Sequence, residues 1–304
     1  MRKYMPKLSY LAVLLLLGCS HSVRYADTTT LAGLQAMGNP RLTKSKAGKA
    51  SMGRIREMAL REMALSLGAQ AGLAWQARMI DDQLTEQARR LDTIFDFNAL
   101  ILEHNILPPV LLEGRSTWNQ ANDHTIRISD RVYKIAKQAR FVTTPPNWRQ
   151  YLWMDYKKPD TPHMSLLPKT PLEREVWSYY VEKGWGNGIE QAGVILEESI
   201  ARIKEDFKGM ILYRKLLAMN MVSPPYVSHT DLGVTGDNDE MHIDDRVLRI
   251  TALPALNTDS KAWIAAVVKD EDALKKFRSM ERLAHETQIT TTSRSWQPVI
   301  AMDD

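Results

Sequence analysis

From Ser51 onward, apolar residues recur at three- and four-residue steps: Ile55, Met58 and Ala59, then Leu65, Ala69, Leu73, Met79 and Ile80, with Glu57, Arg61 and Glu62 between them. With 3.6 residues per turn, that spacing lines the apolar side chains along one stripe, and it predicts one long helix or two. Gly68 and Gly72, four apart and flanked by alanines, leave one face bare enough for another backbone to approach. In a bilayer such spacing pairs helices. Here the uncharged run from Met63 to Ala77 spans only 15 residues and is closed by Arg61, Glu62 and Arg78, so a tight contact in water is the expectation.

A further helical stretch, Leu91 to Leu107, is expected to stop at Pro108-Pro109, where two residues lack a backbone donor. Thr125-Ile126-Arg127-Ile128 then alternates apolar and polar, Ser129-Asp130-Arg131 reads as a turn, and Val132 to Ile135 resumes the extended pattern, which predicts a hairpin. The same order returns later. A helix from about Gly188 to Met219 is followed by Pro224-Pro225, by a Gly- and Asp-rich loop, and by an alternating run from Met241 to Ile250. Residues 128–135 and 243–250 agree at five of eight positions, with a sixth conserving charge, and Asn105 and Asn220 precede the two Pro-Pro pairs at nearly equal distance. These matches suggest a duplicated unit of helix, Pro-Pro and hairpin; two independent hairpins whose turns both favour Asp-Arg are the other account. Either way the expected fold class is α+β, helix-rich with two β-hairpin units. A short amphipathic helix from Ala273 to His285 and a loosely ordered tail over 287–304 complete the pattern.

The start of the chain changes the picture. Arg2, Lys3 and Lys7 precede an apolar run from Leu11 to Leu17 that is too short to span a bilayer, which reads as a leader over 1–18. Leu16-Leu17-Gly18-Cys19 resembles a bacterial lipobox, so Cys19, the single cysteine of the chain, is the expected lipid acceptor and residue one of the mature protein. Ser20, in place of an Asp, points to the outer membrane. A polar stretch over 19–50 would tether one periplasmic α+β domain, 51–286, to the membrane. The formal net charge of +4 falls close to neutrality once the three leader cations are gone, so no direct nucleic-acid binding is expected.

Motifs of chemistry are weak. Gly184-Trp185-Gly186-Asn187-Gly188 misplaces the third glycine of a nucleotide fingerprint and follows no buried strand, so a turn at the start of a helix is the expectation. Counting a calcium loop from Asp237 puts His242 where glycine is needed and Leu248 where a bidentate acid is needed, leaving a turn. The seven histidines offer no pair three to five residues apart for zinc, and no catalytic residue, metal site or cofactor is expected. An aromatic cluster, Trp148, Tyr151, Trp153 and Tyr156, interleaved with Arg149 and Asp155, suits either core packing or a subunit contact.

Several of these segments together look like a known family. Pro108-Pro109-Val110, Ile126 to Ile135, Gln138-Ala139-Arg140-Phe141-Val142-Thr143, Trp148 to Trp153, and Tyr213 to Ala218 with Pro224-Pro225 resemble the DotC/TraI family, the outer-membrane lipoprotein of the type IVB (Dot/Icm) secretion system. The likeness runs from about Arg56 to Leu256. It implies a structural lipoprotein on the periplasmic face of the outer membrane, packed with a DotD-like lipoprotein, a DotH-like outer-membrane protein and other core subunits in a multi-copy ring. It further implies a role in localising the DotH-like protein for export of effector proteins or conjugative DNA. Only Cys19 carries over as a functional position. Asp130, Arg131, Asp245 and Arg246, together with the Trp148 to Tyr156 cluster, are the candidate contact residues read from this sequence alone. A lipid-anchored peptidoglycan-binding protein or hydrolase is the other class that the composition permits.

Overall fold

The computed structural model describes residues 28–38, 52–264 and 271–286; the leader, Cys19 and the tail lie outside the described residues. Two helices form the spine. Helix α2 (Arg54–Glu86) is a single element, and α5 (Pro171–Ala218) runs for 48 residues, about 72 Å at the usual rise. Thr170 caps α5 by accepting from Glu173 N–H, and Pro171 takes the first turn, where its missing donor costs nothing. The glycine-rich stretch 184–188 is therefore not a helix start: it lies deep inside α5.

The glycines explain why the spine exists. A Cβ on Gly68 would lie 2.3 Å from the Val181 carbonyl oxygen, and one on Gly72 would lie 2.4 Å from that of Trp185. Reciprocally, a Cβ on Gly184 would meet the Leu65 carbonyl oxygen at 2.2 Å, and one on Gly188 that of Ala69 at 2.2 Å. Each glycine thus meets the carbonyl three residues ahead of its counterpart. Positions rise together on both helices, so α2 and α5 run parallel and cross about a local pseudo-twofold axis. Main-chain approach this close needs a bare Cα, and the expected tight contact of Gly68 and Gly72 is found here in a described region where no helix is long and apolar enough to cross a membrane.

Around the spine, α1 (Leu31–Gln35) buries Leu34, whose carbonyl accepts from Trp177 Nε1 at 2.9 Å, with Leu60 and Val181 in the same cluster. Part of the expected tether is therefore docked on the body. Helix α3 (Ala88–Ile94) ends early: 3-10 turns and β1 (Ile106–Leu107) replace the helix expected up to Leu107, because Asp96 caps a new turn and His104 and Asn105 adopt φ of 60° and 55°. Helix α4 (Trp148–Leu152) and α6 (Glu271–Glu286) close the core, α6 burying Met280 and Ala284 against the main cluster.

Two antiparallel hairpins leave this body. Hairpin 1 joins β2 (Val110–Asn122) to β3 (Thr125–Lys137), with β4 (Arg140–Phe141) pairing back on β1 at its root. Hairpin 2 joins β5 (Tyr226–Gly236) to β6 (Met241–Ala252), with Val222 bridging Leu256 at its root. The roots match. Asn105 and Asn220 share φ of 55°, Asn105 accepts from Val142 N–H and Met221 from Asn257 N–H, both at 2.9 Å, and the Pro-Pro pairs follow. The succession of long helix, left-handed Asn, root pairing, Pro-Pro and hairpin thus occurs twice.

Candidate assembly interface

The expected turns are displaced. Asp130 and Arg131 lie inside β3, where Arg131 faces Arg115, and Asp245 and Arg246 lie inside β6. The chain reverses instead at Asp123-His124, where the Asn122 side chain accepts from His124 N–H, and around Asp237, which accepts from the N–H groups of Asp239 and Glu240. Those two bonds hold the Asp237 carboxyl below its usual range. Asp is at home in turns, but Asp130 is exposed and shares the strand face of Ile126, Ile128 and Val132, so a solvated ribbon carries its carboxylate within the strand and no turn is required. The corresponding first strands, β2 and β5, were missed because Gly114, Ser116, Gly233 and Gly236 interrupt them; Ser116 has φ of 50° and Gly233 φ of 74°.

Beyond their roots the hairpins bury little. Trp118 stands opposite Ile128, with Ile126 two residues along on the same face, and these side chains are 70%, 58% and 54% exposed. On hairpin 2, Val234, Met241 and Ile243 are exposed to a similar extent. The aligned arginines meet unlike partners: Arg131 faces Arg115, whereas Arg246 pairs with Asp231 at 3.1 Å. Asp245 accepts from the Thr235 hydroxyl across its own hairpin at 2.6 Å.

The aromatic cluster divides. Trp148 is buried, its Nε1 donating to Asp92 at 2.7 Å, with the Arg149 guanidinium 4.3 Å above its ring. The Trp148 indole bond, then Arg149, hold the Asp92 carboxyl below its usual range. Tyr151 stacks on Phe97 and donates to Asp206 at 2.9 Å; burial, then the neighbouring Asp206 charge, push its phenol above the ordinary value. Met154 N–H donates to Asp81, whose carboxyl burial raises. Trp148 and Tyr151 are therefore internal ties to α3 and α5, while Trp153 and Tyr156 remain exposed on the surface. Asp81, Asp92 and Asp206 had no local signal, since each partner lies more than fifty residues away in sequence.

Between the two roots lies an open cleft of about 420 Å³, lined by Glu103, His104, Arg214, Pro224 and Tyr226 among others. Arg214 places its guanidinium 5.7 Å from the Phe277 ring, and its Nε is buried without a hydrogen-bond partner among the described residues. Burial lowers its pKa. Among the described residues no group of three or more His, Cys, Asp or Glu could hold a metal ion.

Residues 54–265, from the start of α2 to just past the root of hairpin 2, match a family described as type IV secretory system, conjugal DNA-protein transfer. The chain belongs to this family. It is thereby a type IV secretion component, in agreement with the likeness seen in its sequence. No curated protein matches the chain. The family match covers the helical spine and both hairpins.

Proposed function

We propose that this type IV secretion component is a structural lipoprotein of the outer-membrane core complex, anchored through Cys19 and facing the periplasm. In that place it packs with a DotD-like lipoprotein and a DotH-like outer-membrane protein and helps localise the latter for export of effector proteins or conjugative DNA. The observation that carries the reading is the pair of hairpins: long, two-stranded and apolar on exposed faces, they are marginal by themselves and complete only against other subunits. The lipobox at Leu16 to Cys19 supports the anchor. Membership of a secretion apparatus suggests a structural and not an enzymatic role.

The test is Cys19→Ser in cells making the whole apparatus. Fatty-acid labelling of the chain should vanish, the chain should leave the outer membrane, and the DotH-like protein should be lost from it in parallel. Persistent labelling refutes the anchor; an unlabelled chain with the DotH-like protein still in place refutes the localising role. Purified chain that cleaves peptidoglycan would favour the cell-wall alternative instead.

A further inference from the structure

Arg214 is an unmatched cation at the bottom of the cleft between the two hairpin roots. Lys215, next to it in α5, pairs with Glu281, whereas Arg214 forms no ion pair or hydrogen bond with any described residue and its Nε is shut off from solvent. The Phe277 ring, 5.7 Å from the guanidinium, attracts the cation but leaves its N–H donors unmatched. Burial draws the Arg214 pKa down, and the one charge effect that opposes it comes from the Tyr213 phenol and from no carboxylate. Glu103 lines the same cleft, but it is exposed at the rim and does not pair with Arg214. A desolvated guanidinium without an anion costs the free chain stability, and a carboxylate brought into the cleft would offset that cost.

We infer that this cleft receives an extended segment of another secretion subunit, which sets an Asp or Glu side chain against Arg214 and apolar side chains against the walls. The walls suit such a segment: Leu102 and Ile106 come from the root of hairpin 1, Leu217 from α5, and Pro224 and Pro225 from the root of hairpin 2. At about 420 Å³ the cleft holds a few side chains and not a folded domain. Tyr226 and Val227, which complete it, begin β5, a strand of a two-stranded ribbon whose second edge is unpaired, so a polypeptide can add main-chain hydrogen bonds there that a free small carboxylate cannot. Because one segment would touch both roots, its arrival fixes the two hairpins relative to α5. The inference rests on the reading of the chain as a subunit packed among others and adds the chemistry of one contact; it does not depend on the Cys19 anchor.

The experiment places the photo-crosslinker p-benzoylphenylalanine at Tyr226 of the full chain, in cells making the whole apparatus, and reads the joined peptide by mass spectrometry. Irradiation should join Tyr226 to one segment of another secretion subunit that contains an Asp or Glu. Arg214→Met and Arg214→Glu should each reduce the adduct about tenfold, the scale of one charge-assisted hydrogen bond. Replacing the partner's acid by Lys should restore it to the Arg214→Glu chain. The free chain carrying Arg214→Met should melt at or above the parent, since the change removes a charge that nothing in the chain matches and keeps a side chain suited to the Phe277 ring. An adduct indifferent to Arg214, or one to residues 287–304 of the chain itself, overturns the inference, as does a free Arg214→Met chain that melts well below the parent. A missing adduct where the apparatus assembles overturns this inference alone; a chain that joins no complex overturns the structural reading with it.

Discussion

Lys137 donates to both carboxylate oxygens of Asp206, at 2.6 and 2.7 Å, and so ties the last residue of β3 to the C-terminal third of α5. Asp206 is buried while Lys137 is half exposed, and the same carboxylate accepts from Tyr151. Asp206 therefore joins hairpin 1 to the 148–156 strap, which Asp81 and Asp92 also hold. Asp206→Asn should lower stability by about 1.5–3 kcal/mol, the range for hydrogen bonds to a charged group. A double-mutant cycle with Lys137→Met, read by thermal unfolding, isolates the pair. Additive effects of the two changes would show that the tie contributes nothing.

The glycines of the spine predict opposite signs within one helix. Gly188→Ala should destabilise by at least 1–3 kcal/mol, roughly the cost of overpacking, because its Cβ would sit 2.2 Å from the Ala69 carbonyl oxygen. Gly186→Ala and Gly193→Ala, which meet nothing within 4 Å, should instead raise stability by about 0.5–1 kcal/mol through helix propensity. Denaturant unfolding of the three variants measures both signs. Equal effects at Gly186 and Gly188 would remove the close crossing.

Glu173 gives a pH dependence. Burial pushes its carboxyl up, but the bonds from Arg56 and the N–H groups of Lys169 and Thr170 outweigh it, so the net shift is below the ordinary value of 4.5. A carboxyl depressed on folding contributes stability that is complete above its unfolded pKa and is lost as pH falls through the folded one. The melting temperature of the parent should therefore exceed that of Glu173→Gln most at neutral pH, by an amount corresponding to about 2 kcal/mol. The gap should narrow progressively as pH drops below 4.5. A gap independent of pH would assign the loss to packing.

The divided aromatic cluster predicts divided phenotypes. Trp148→Ala should cost about 3–5 kcal/mol of stability, as a buried large-to-small change does. Trp153→Ala and Tyr156→Ala, at exposed positions, should leave melting nearly unchanged. Thermal scans of leader-free protein, paired with recovery of the assembled complex from cells, separate the two classes. Reduced recovery with normal melting would place Trp153 or Tyr156 on a subunit contact.

Much of this was legible in the chain, for reasons that can be named. The period of α2 and the small residues at Gly68 and Gly72 carried their own geometry, and the Pro-Pro pairs marked where helical structure gives way to hairpins. What failed were boundaries decided by distant partners. Residues 184–188 read as a turn because glycine disfavours helix locally; only the facing Leu65 and Ala69 carbonyls make bare Cα positions necessary there. The N-terminus of α5 carries a local signal of its own in Thr170-Pro171-Leu172-Glu173, a cap, a first-turn proline and an acid three residues on. Asp206 had no sequence signal at all, since its partners Lys137 and Tyr151 come from the hairpin and the strap.

The length of α5 has a mechanical consequence. The N-terminal segment is pinned at Trp177, while hairpin 1 is seated at Gly209, where a Cβ would strike Val110 and the Leu111 backbone. The intervening helix is a continuous strut of about 48 Å at the standard rise, stiffened along its first half by α2. The segment around Leu34 is thereby kept at a fixed standoff from the root of hairpin 1. Shortening this strut would demand a matching change in α2, because Gly184 and Gly188 within it are keyed to Leu65 and Ala69.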